Sequence, residues 1–406
     1  MLSTKPISEV TWDDIENFCR KQYSESTNLE YKEAFPERLD KTLAAMANTF
    51  GGTVLIGVKE NKESKPELPL IGIEFVRGLE EKVYQTIVDN IKPTFFPEVR
   101  AVLNQAGDRA VVIIRIPQSK QAPHAISRNT RVYIRTGTIS TPEDLMDIDL
   151  IGKFLDRNKE AEQRKKGLYT QSIRRYQFFQ EKLIATPESF SSTLAEIDKG
   201  AFVRVFLCPS FPFDKLTTPC ELRLKVKDIQ VRDSYGTDDK LPKSTLLTDN
   251  PGGILVQDGT ILLQHAKYSK TSYCELNIFG SYFVEYPFGE NPQTKTIRIS
   301  ELLIRTHDLL SSAIKFYYSL GYLGSVDIEI MLGNLNNKRF IPDWYKWPIE
   351  CKKYSPDDEI TCKASYSVSE LSSRLKEIHF SLLQSLLWGI DFELDQGIID
   401  TIWKKL

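Results

Sequence analysis

The stretch "LEYKEAFPERLDKTLAAMANTFGGTVLIGV", Leu29 to Val58, reads as strand, helix, strand. In its first part Leu29 and Tyr31 alternate with Glu30 and Lys32, so the two charged groups project together from one face. Pro36 opens the second part at a position where a missing N–H costs nothing, and Leu39, Leu43, Met46, Ala47 and Phe50 recur at helical spacing. Asn48 is expected to end this helix as a left-handed cap, and Gly51 and Gly52 to reverse the chain without a Cβ clash. "TVLIGV", Thr53 to Val58, is the continuous apolar run of a strand covered on both faces, which places it centrally in a sheet.

On the N-terminal side, residues 7–22 read as a helix that starts at a capping box of Thr11 and Asp14. On the C-terminal side, "RGLEEKVYQTIVDNIKP" reads as a second amphipathic helix, and "VRAVLNQAGDRAVVIIRIP" as two strands around a turn. "TRVYIRTGTISTPEDL" reads as a further strand leading into a helix, so strands and helices interleave in a mixed α/β layer.

A chain of 406 residues exceeds one common core, so two domains are expected. Residues 151–182 read as a basic helix with nine Lys or Arg against four Asp or Glu, 9 − 4 = +5. The expected boundary falls in it near Gly167, giving domains 1–166 and 167–406. A solvated connecting helix is the simpler reading of this charge, ahead of a helix that contacts nucleic acid. The second domain reads as α+β. Its expected strands are "AFVRVFLCP", "ELRLKVKDI", "TILLQHA", "YCELNIFGSYFVEYPF" and "SVDIEIMLG", and its helices "SELLIRTHDLLSSAIKFYYSL" and "SELSSRLKEIHFSLLQSLLW". Ser367 and Glu370 are placed as a capping box for the last helix. The overall fold class is therefore α+β.

Composition excludes several functions. Hydrophobic residues at 41% with 27% charged describe a globular chain, and no apolar run approaches the ~18 residues of a membrane helix. The first residues show no basic segment followed by an apolar one, so a cytoplasmic location is expected. The six cysteines are scattered without a CxxC pair, which argues for reduced thiols and against structural zinc. The balance 53 − 55 = −2 lacks the basic signature of many nucleic-acid binders, leaving only a local basic face. No glycine-rich turn carries the lysine and hydroxyl of a phosphate loop, and none of the four histidines lies in a nucleophile or metal motif.

The acidic residues of "ESTNLEYKEAF", Glu25 to Phe35, carry the chemistry that remains. Cleaving a phosphodiester builds negative charge on oxygen, which a divalent cation held by carboxylates can offset. Glu25 and Glu30 offer the hard oxygen ligands that Mg²⁺ or Mn²⁺ prefers, and Lys32 beside Glu30 offers a point charge to the phosphate. Arg131 and Arg135 are candidate phosphate contacts, with the backbone amides of the "TGT" that follows them. Taken alone, Glu-x-Lys on a strand is common and is more often the charged rim of a sheet.

Four segments in order, "ESTNLEYKEAF", "LAAMANTFGGTVLIGV", "IIRIPQSKQAPHA" and "RVYIRTGT", together resemble the Schlafen AlbA-like domain over about Tyr23 to Asp147. The resemblance implies a metal-dependent endoribonuclease acting on structured RNA such as tRNA, in defence or toxicity, with Mn²⁺ or Mg²⁺ as cofactor. It implies a three-carboxylate site whose first two members are Glu25 and Glu30. The third position falls in "IGVKE", where Lys59 and Glu60 stand in place of the usual acidic pair. Glu60 is then the third metal ligand, unless Lys59 holds that position and opposes a metal. Known relatives enclose RNA between two such lobes, so a single copy implies a homodimer. The alternative is a regulator or sensor that binds DNA or RNA without catalysis. The C-terminal domain has no matching signature and reads as an interaction or sensing unit with helices whose apolar faces are core.

Overall fold

The computed structural model describes residues 5, 7–136, 139–144, 148–184, 200–228, 254–255, 260–267, 270–288, 296–322, 324–336, 338–341 and 358–389. Chain contacts divide the protein into two compact units, Met1–Glu160 with Leu323–Ser325, and Ala161–Tyr322 with Val326–Leu406. The division falls within one helix, which also contains Gly167, where the sequence places the boundary.

In the first unit a 3₁₀ turn at Ile7–Glu9 precedes α1 (Trp12–Cys19). Thr11 caps α1 as expected: its hydroxyl accepts from Asp14 N, and the Asp14 carboxylate accepts from Thr11 N at 3.0 Å. Strand β1 (Leu29–Lys32), helix α2 (Leu39–Asn48) and strand β2 (Gly52–Ile56) follow the reading of Leu29–Val58. Next come β3 (Ile73–Glu74), α3 (Leu79–Asn90), β4 (Ile91–Lys92), β5 (Glu98–Leu103) and β6 (Arg109–Ile116). The unit ends with β7 (Ala125–Ile126), β8 (Arg131–Thr136), β9 (Ile139–Asp144) and the start of α4 (Ile148–Ile184).

β2 pairs parallel with β1 and antiparallel with β6, whose other edge carries β5. This central position explains the unbroken apolar run. Val54 and Ile56 face the core built with α2 and α3, while Leu55 faces the core built with α1. β6 splits the same way, with Val112 and Ile114 on one side and Val111 and Ile113 on the other. A second, antiparallel sheet in the order β4-β7-β8-β9 lies against α2. The sequence reading placed a helix directly after β8 and missed β9, whose Thr141 and Pro142 break any apolar period.

The left-handed residue after α2 is Gly51, with φ of 71°, rather than Asn48. A Cβ on Gly51 would stand 2.5 Å from Ile116 O, and one on Gly52 2.7 Å from Asn28 O, so both glycines allow backbones to approach closely. Asn48 instead stays helical and buried. Its amide donates to His124 O and Tyr133 O, both at 2.9 Å, and accepts from His124 N at 2.7 Å, which fastens α2 to the second sheet.

In the second unit β10 (Phe202–Pro209) is followed by α5 (Pro219–Asp228), β11 (Ile254–Leu255), β12 (Thr260–Lys267), β13 (Lys270–Asn277) and β14 (Tyr282–Pro287). Then come β15 (Thr296–Arg298), α6 (Ile299–Leu320), β16 (Ser325–Gly333), β17 (Arg339–Ile341), β18 (Ile360–Ser367), α7 (Val368–Ser373) and α8 (Leu375–Trp388). Among the described residues, seven strands form one sheet in the order β11-β12-β13-β14-β10-β16-β18. Val326, Ile328, Ile330 and Leu332 of β16 are buried in alternation, as their spacing predicts.

"ELRLKVKDI" is not the expected strand but most of α5. Its alternating Leu222 and Leu224 suggested period two, yet Thr218 and Glu221 form reciprocal caps and Pro219 sits in the first turn, which favours a helix. The last helix is two, α7 and α8, broken at Arg374, and Ser367 Oγ accepts from Glu370 N at 3.0 Å as predicted.

The basic charge of α4 also has a structural explanation. Arg175 Nη2 pairs with Glu275 at 2.9 Å, Ser172 donates to the same carboxylate at 2.7 Å, and Lys165 pairs with Asp327. Tyr169 and Tyr176 pack on the same sheet face among Phe206, Tyr273 and Phe283. Part of the basic run thus answers acidic residues of the sheet. No helix among the described residues is long and apolar enough to cross a membrane.

Candidate functional site

β1 lies at the edge of its sheet, so among the described residues one side of its backbone has no neighbouring strand. The turn before it, Glu25 to Asn28, folds back so that Ser26 N donates to Leu29 O at 3.0 Å. Glu25 then lies alongside β1: its N–H donates to Ser64 O at 2.8 Å and its Oε1 accepts from Tyr31 N at 2.7 Å. Lys32 Nζ donates to Tyr31 O at 2.8 Å and stands 3.1 Å from Glu30 Oε1 and 3.6 Å from Glu25 Oε1. The ammonium therefore lies between the two glutamates.

Glu30 is buried. Its Oε2 pairs with Arg135 Nη1 at 2.5 Å, and its Oε1 accepts from Thr42 Oγ1 at 3.4 Å. Arg135 also donates through Nη2 to Ser26 O at 3.0 Å, and its backbone N–H donates to Thr49 Oγ1 at 2.9 Å. β1, α2 and β8 thus meet at one carboxylate. The expected phosphate contact at Arg135 is an inward-facing partner of Glu30, with a side chain only 1% exposed. The sequence offered Arg131 and Arg135 alike as phosphate contacts; it did not show that α2 lies against β8 and that the Arg135 side chain is buried.

Burial raises the pKa of Glu25 above the ordinary carboxylate value. The Tyr31 N–H and Lys32 oppose that rise, while the charges of Glu60 and Glu30 add to it. Glu60 itself is exposed and forms an isolated bridge with Pro66. Lys59 turns to Glu67, 3.0 Å away, whose hydrogen bond and charge raise its pKa. Arg131 is exposed at the start of β8, and Gly137 and Thr138 of "TGT" lie outside the described residues.

The donor set has the oxygen chemistry of a Mg²⁺ or Mn²⁺ site, but its arrangement is a different one. Two carboxylates face two side-chain cations, and Lys32 stands where a cation bridging Glu25 and Glu30 would go. Among the described residues no group of three or more His, Cys, Asp or Glu is gathered to hold a metal ion. As arranged, these residues do not fit a divalent cation. Sequence reasoning missed Thr42 and read Asn48 only as a cap; the signal for both was a polar residue on the buried face of a largely apolar helix.

Residues 25–144 match the family described as Schlafen, AlbA_2. The N-terminal region is a Schlafen AlbA_2 domain. The match begins at Glu25 and ends with β9, and it implies a function related to nucleic acid. Among solved structures the chain is similar to the N-terminal domain of a RecG-related protein from Nitrosomonas europaea, at 14% identity over 29% of this chain and 81% of that one, with a TM-score of 0.25. It is also similar to the DIP2311 protein from Corynebacterium diphtheriae, at 20% identity over 32% of this chain and 26% of that one, with a TM-score of 0.24. No curated protein matches the chain.

Proposed function

We propose that the Schlafen AlbA_2 domain binds nucleic acid without hydrolysing it, as the recognition part of a regulator or sensor. The observation that carries this reading is the charge balance of the site: Glu25 and Glu30 are matched by Lys32 and Arg135 within the fold. A cluster neutralised in this way positions β1 and β8 and does not call for a metal. Binding should weaken steeply with salt, since phosphate contacts release counterions.

A second reading is a Mn²⁺- or Mg²⁺-dependent endoribonuclease acting on structured RNA such as tRNA. It is favoured by one feature: the Glu25 carboxyl senses the charges of both Glu30 and Glu60, so each of these lies within electrostatic reach of Glu25. That reading requires the glutamates to exchange their side-chain cations for a divalent one.

The test is incubation of the purified chain with total tRNA and with DNA, in Mn²⁺, in Mg²⁺ and in chelator, following both retention and fragment size. Retention without fragments, unchanged by chelator, is the expected result. Metal-dependent fragments that disappear in Glu25→Gln would replace it with the nuclease reading. A homodimer would appear in light scattering as a doubled mass with or without RNA.

A further inference from the structure

The hairpin joining β7 to β8 is built to present two arginines. Ile126 pairs with Arg131, leaving Ser127 to Thr130 as the tip, and all five residues from Ser127 to Arg131 are exposed. The tip is nonetheless fixed. Thr130 N donates to Ile126 O at 2.8 Å, with Thr130 in the left-handed region at φ 53°. Arg131 N donates to Asn129 Oδ1 at 3.2 Å, and Ser127 N donates to Asn90 O at 2.8 Å, tying the tip to the end of α3.

The side chains of Arg128 and Arg131 make no ion pair among the described residues. Most other arginines of the unit are committed: Arg20 to Glu16, Arg38 to Asp40, Arg115 to Glu98, Arg135 to Glu30, and Arg157 to the carbonyls of Asn48 and Ser119. A third cation joins the tip from α2. Lys41 Nζ lies 5.4 Å from the centre of the Tyr133 ring, and the hydroxyl of that ring accepts from Asn129 Nδ2 of the tip at 3.4 Å. The carboxylate-bearing residue opposite in register is Asp144, paired with Arg131.

We propose that this tip grips the backbone of a nucleic acid, with Arg128 and Arg131 each on a phosphate and Lys41 flanking them. The proposal rests on the nucleic-acid reading above and places its contact surface at the β7–β8 hairpin rather than at the Glu25–Glu30 cluster. A rigid backbone lowers the ordering cost of contact, while two long guanidinium groups, exposed and without an ion pair among the described residues, supply the charge. Because phosphates carry no sequence information, the contact should position DNA or RNA without choosing among sequences.

The experiment measures affinity of the full chain for a fluorescein-labelled RNA hairpin and for a DNA duplex, between about 50 and 200 mM salt. Arg128→Gln/Arg131→Gln removes two phosphate-binding charges and should flatten the slope of log K against log salt by about 1.8 on the duplex. Arg128→Lys/Arg131→Lys should restore most of it, and circular dichroism should show both variants folded as the parent. An unchanged slope in the glutamine variant, while the parent binds, overturns the proposal and leaves the nucleic-acid reading intact. A parent chain that binds neither probe overturns both. A glutamine variant that loses affinity only for vesicles containing phosphatidylserine would assign the tip to a membrane surface and also overturn the proposal.

Discussion

Replacing Arg135 with methionine tests whether the Glu30 cluster is a structural clamp. The Arg135 side chain is 1% exposed and that of Glu30 is 7% exposed, so the substitution leaves a carboxylate inside the fold with one of its two cations removed. Breaking a buried pair by deleting one partner costs about 3–5 kcal/mol. Lys32, 3.1 Å from Glu30 Oε1, remains to share the charge, which places the expected loss near the lower end, at about 3 kcal/mol. For a unit of this size 1 kcal/mol moves the midpoint by roughly 2–4 °C, so the transition should fall by about 9 °C. Calorimetry of the whole chain reads this directly, because two compact units can melt separately and only the transition of the first should move. Glu30→Met/Arg135→Met removes both charges, and it should recover much of the loss, since an apolar pair needs no counter-ion. A shift below about 0.5 kcal/mol in the single variant would refute the clamp, as would a double variant no better than the single one.

Three further outcomes follow from local structure. Thr11→Ala or Asp14→Ala should cost about 1 kcal/mol in urea denaturation at neutral pH. The hydrogen bonds from Lys5 and then from Thr11 N lower Asp14 to about 2, so its contribution is present above the ordinary value of 3.8 and is lost as pH falls towards 2. His379 is fully buried, and burial followed by the His307 ring lowers its pKa from 6.5 to about 3. The neutral ring is favoured in the fold, so the second unit should lose stability as pH drops below about 6.5, and His379→Phe should flatten that slope in acid melts. Gly51→Ala should destabilise the first unit by more than about 1 kcal/mol in the same denaturation assay, because φ is 71° and its new Cβ would meet Ile116 O at 2.5 Å.

The parts of the fold legible in the sequence are those where one local signal dominates. "TVLIGV" is apolar at every position that a two-faced core requires, and β16 alternates cleanly because only one of its faces is fully covered. "ELRLKVKDI" misled because its period-two pattern competes with the cap at Thr218, and hydrogen bonds at a helix start outweigh two alternating leucines. At the site, the sequence brought Glu25, Glu30 and Lys32 together correctly, since a strand of period two and one tight turn determine them. Arg135 was read from the sequence as a phosphate contact and not as the partner of Glu30. That contact spans 105 positions and depends on α2 leaving room for a guanidinium beside Thr42.

The same short motif also has a role that involves no ligand. Because β1 is an edge strand, the backbone of Tyr31 points away from β2, and Glu25 and Lys32 satisfy it: one accepts from its N–H, the other donates to its carbonyl. Charged side chains folded over an edge in this way also keep another strand from pairing there. Alanine at Glu25 therefore removes a charge and uncovers a backbone donor at once, and any lost activity has two explanations. Glutamine retains an oxygen for the Tyr31 N–H while discarding the charge. If binding to nucleic acid survives in Glu25→Gln but fails in Glu25→Ala, the acceptor matters and the charge does not. The motif is then an edge seal on which a binding domain is built, whatever chemistry its letters suggest.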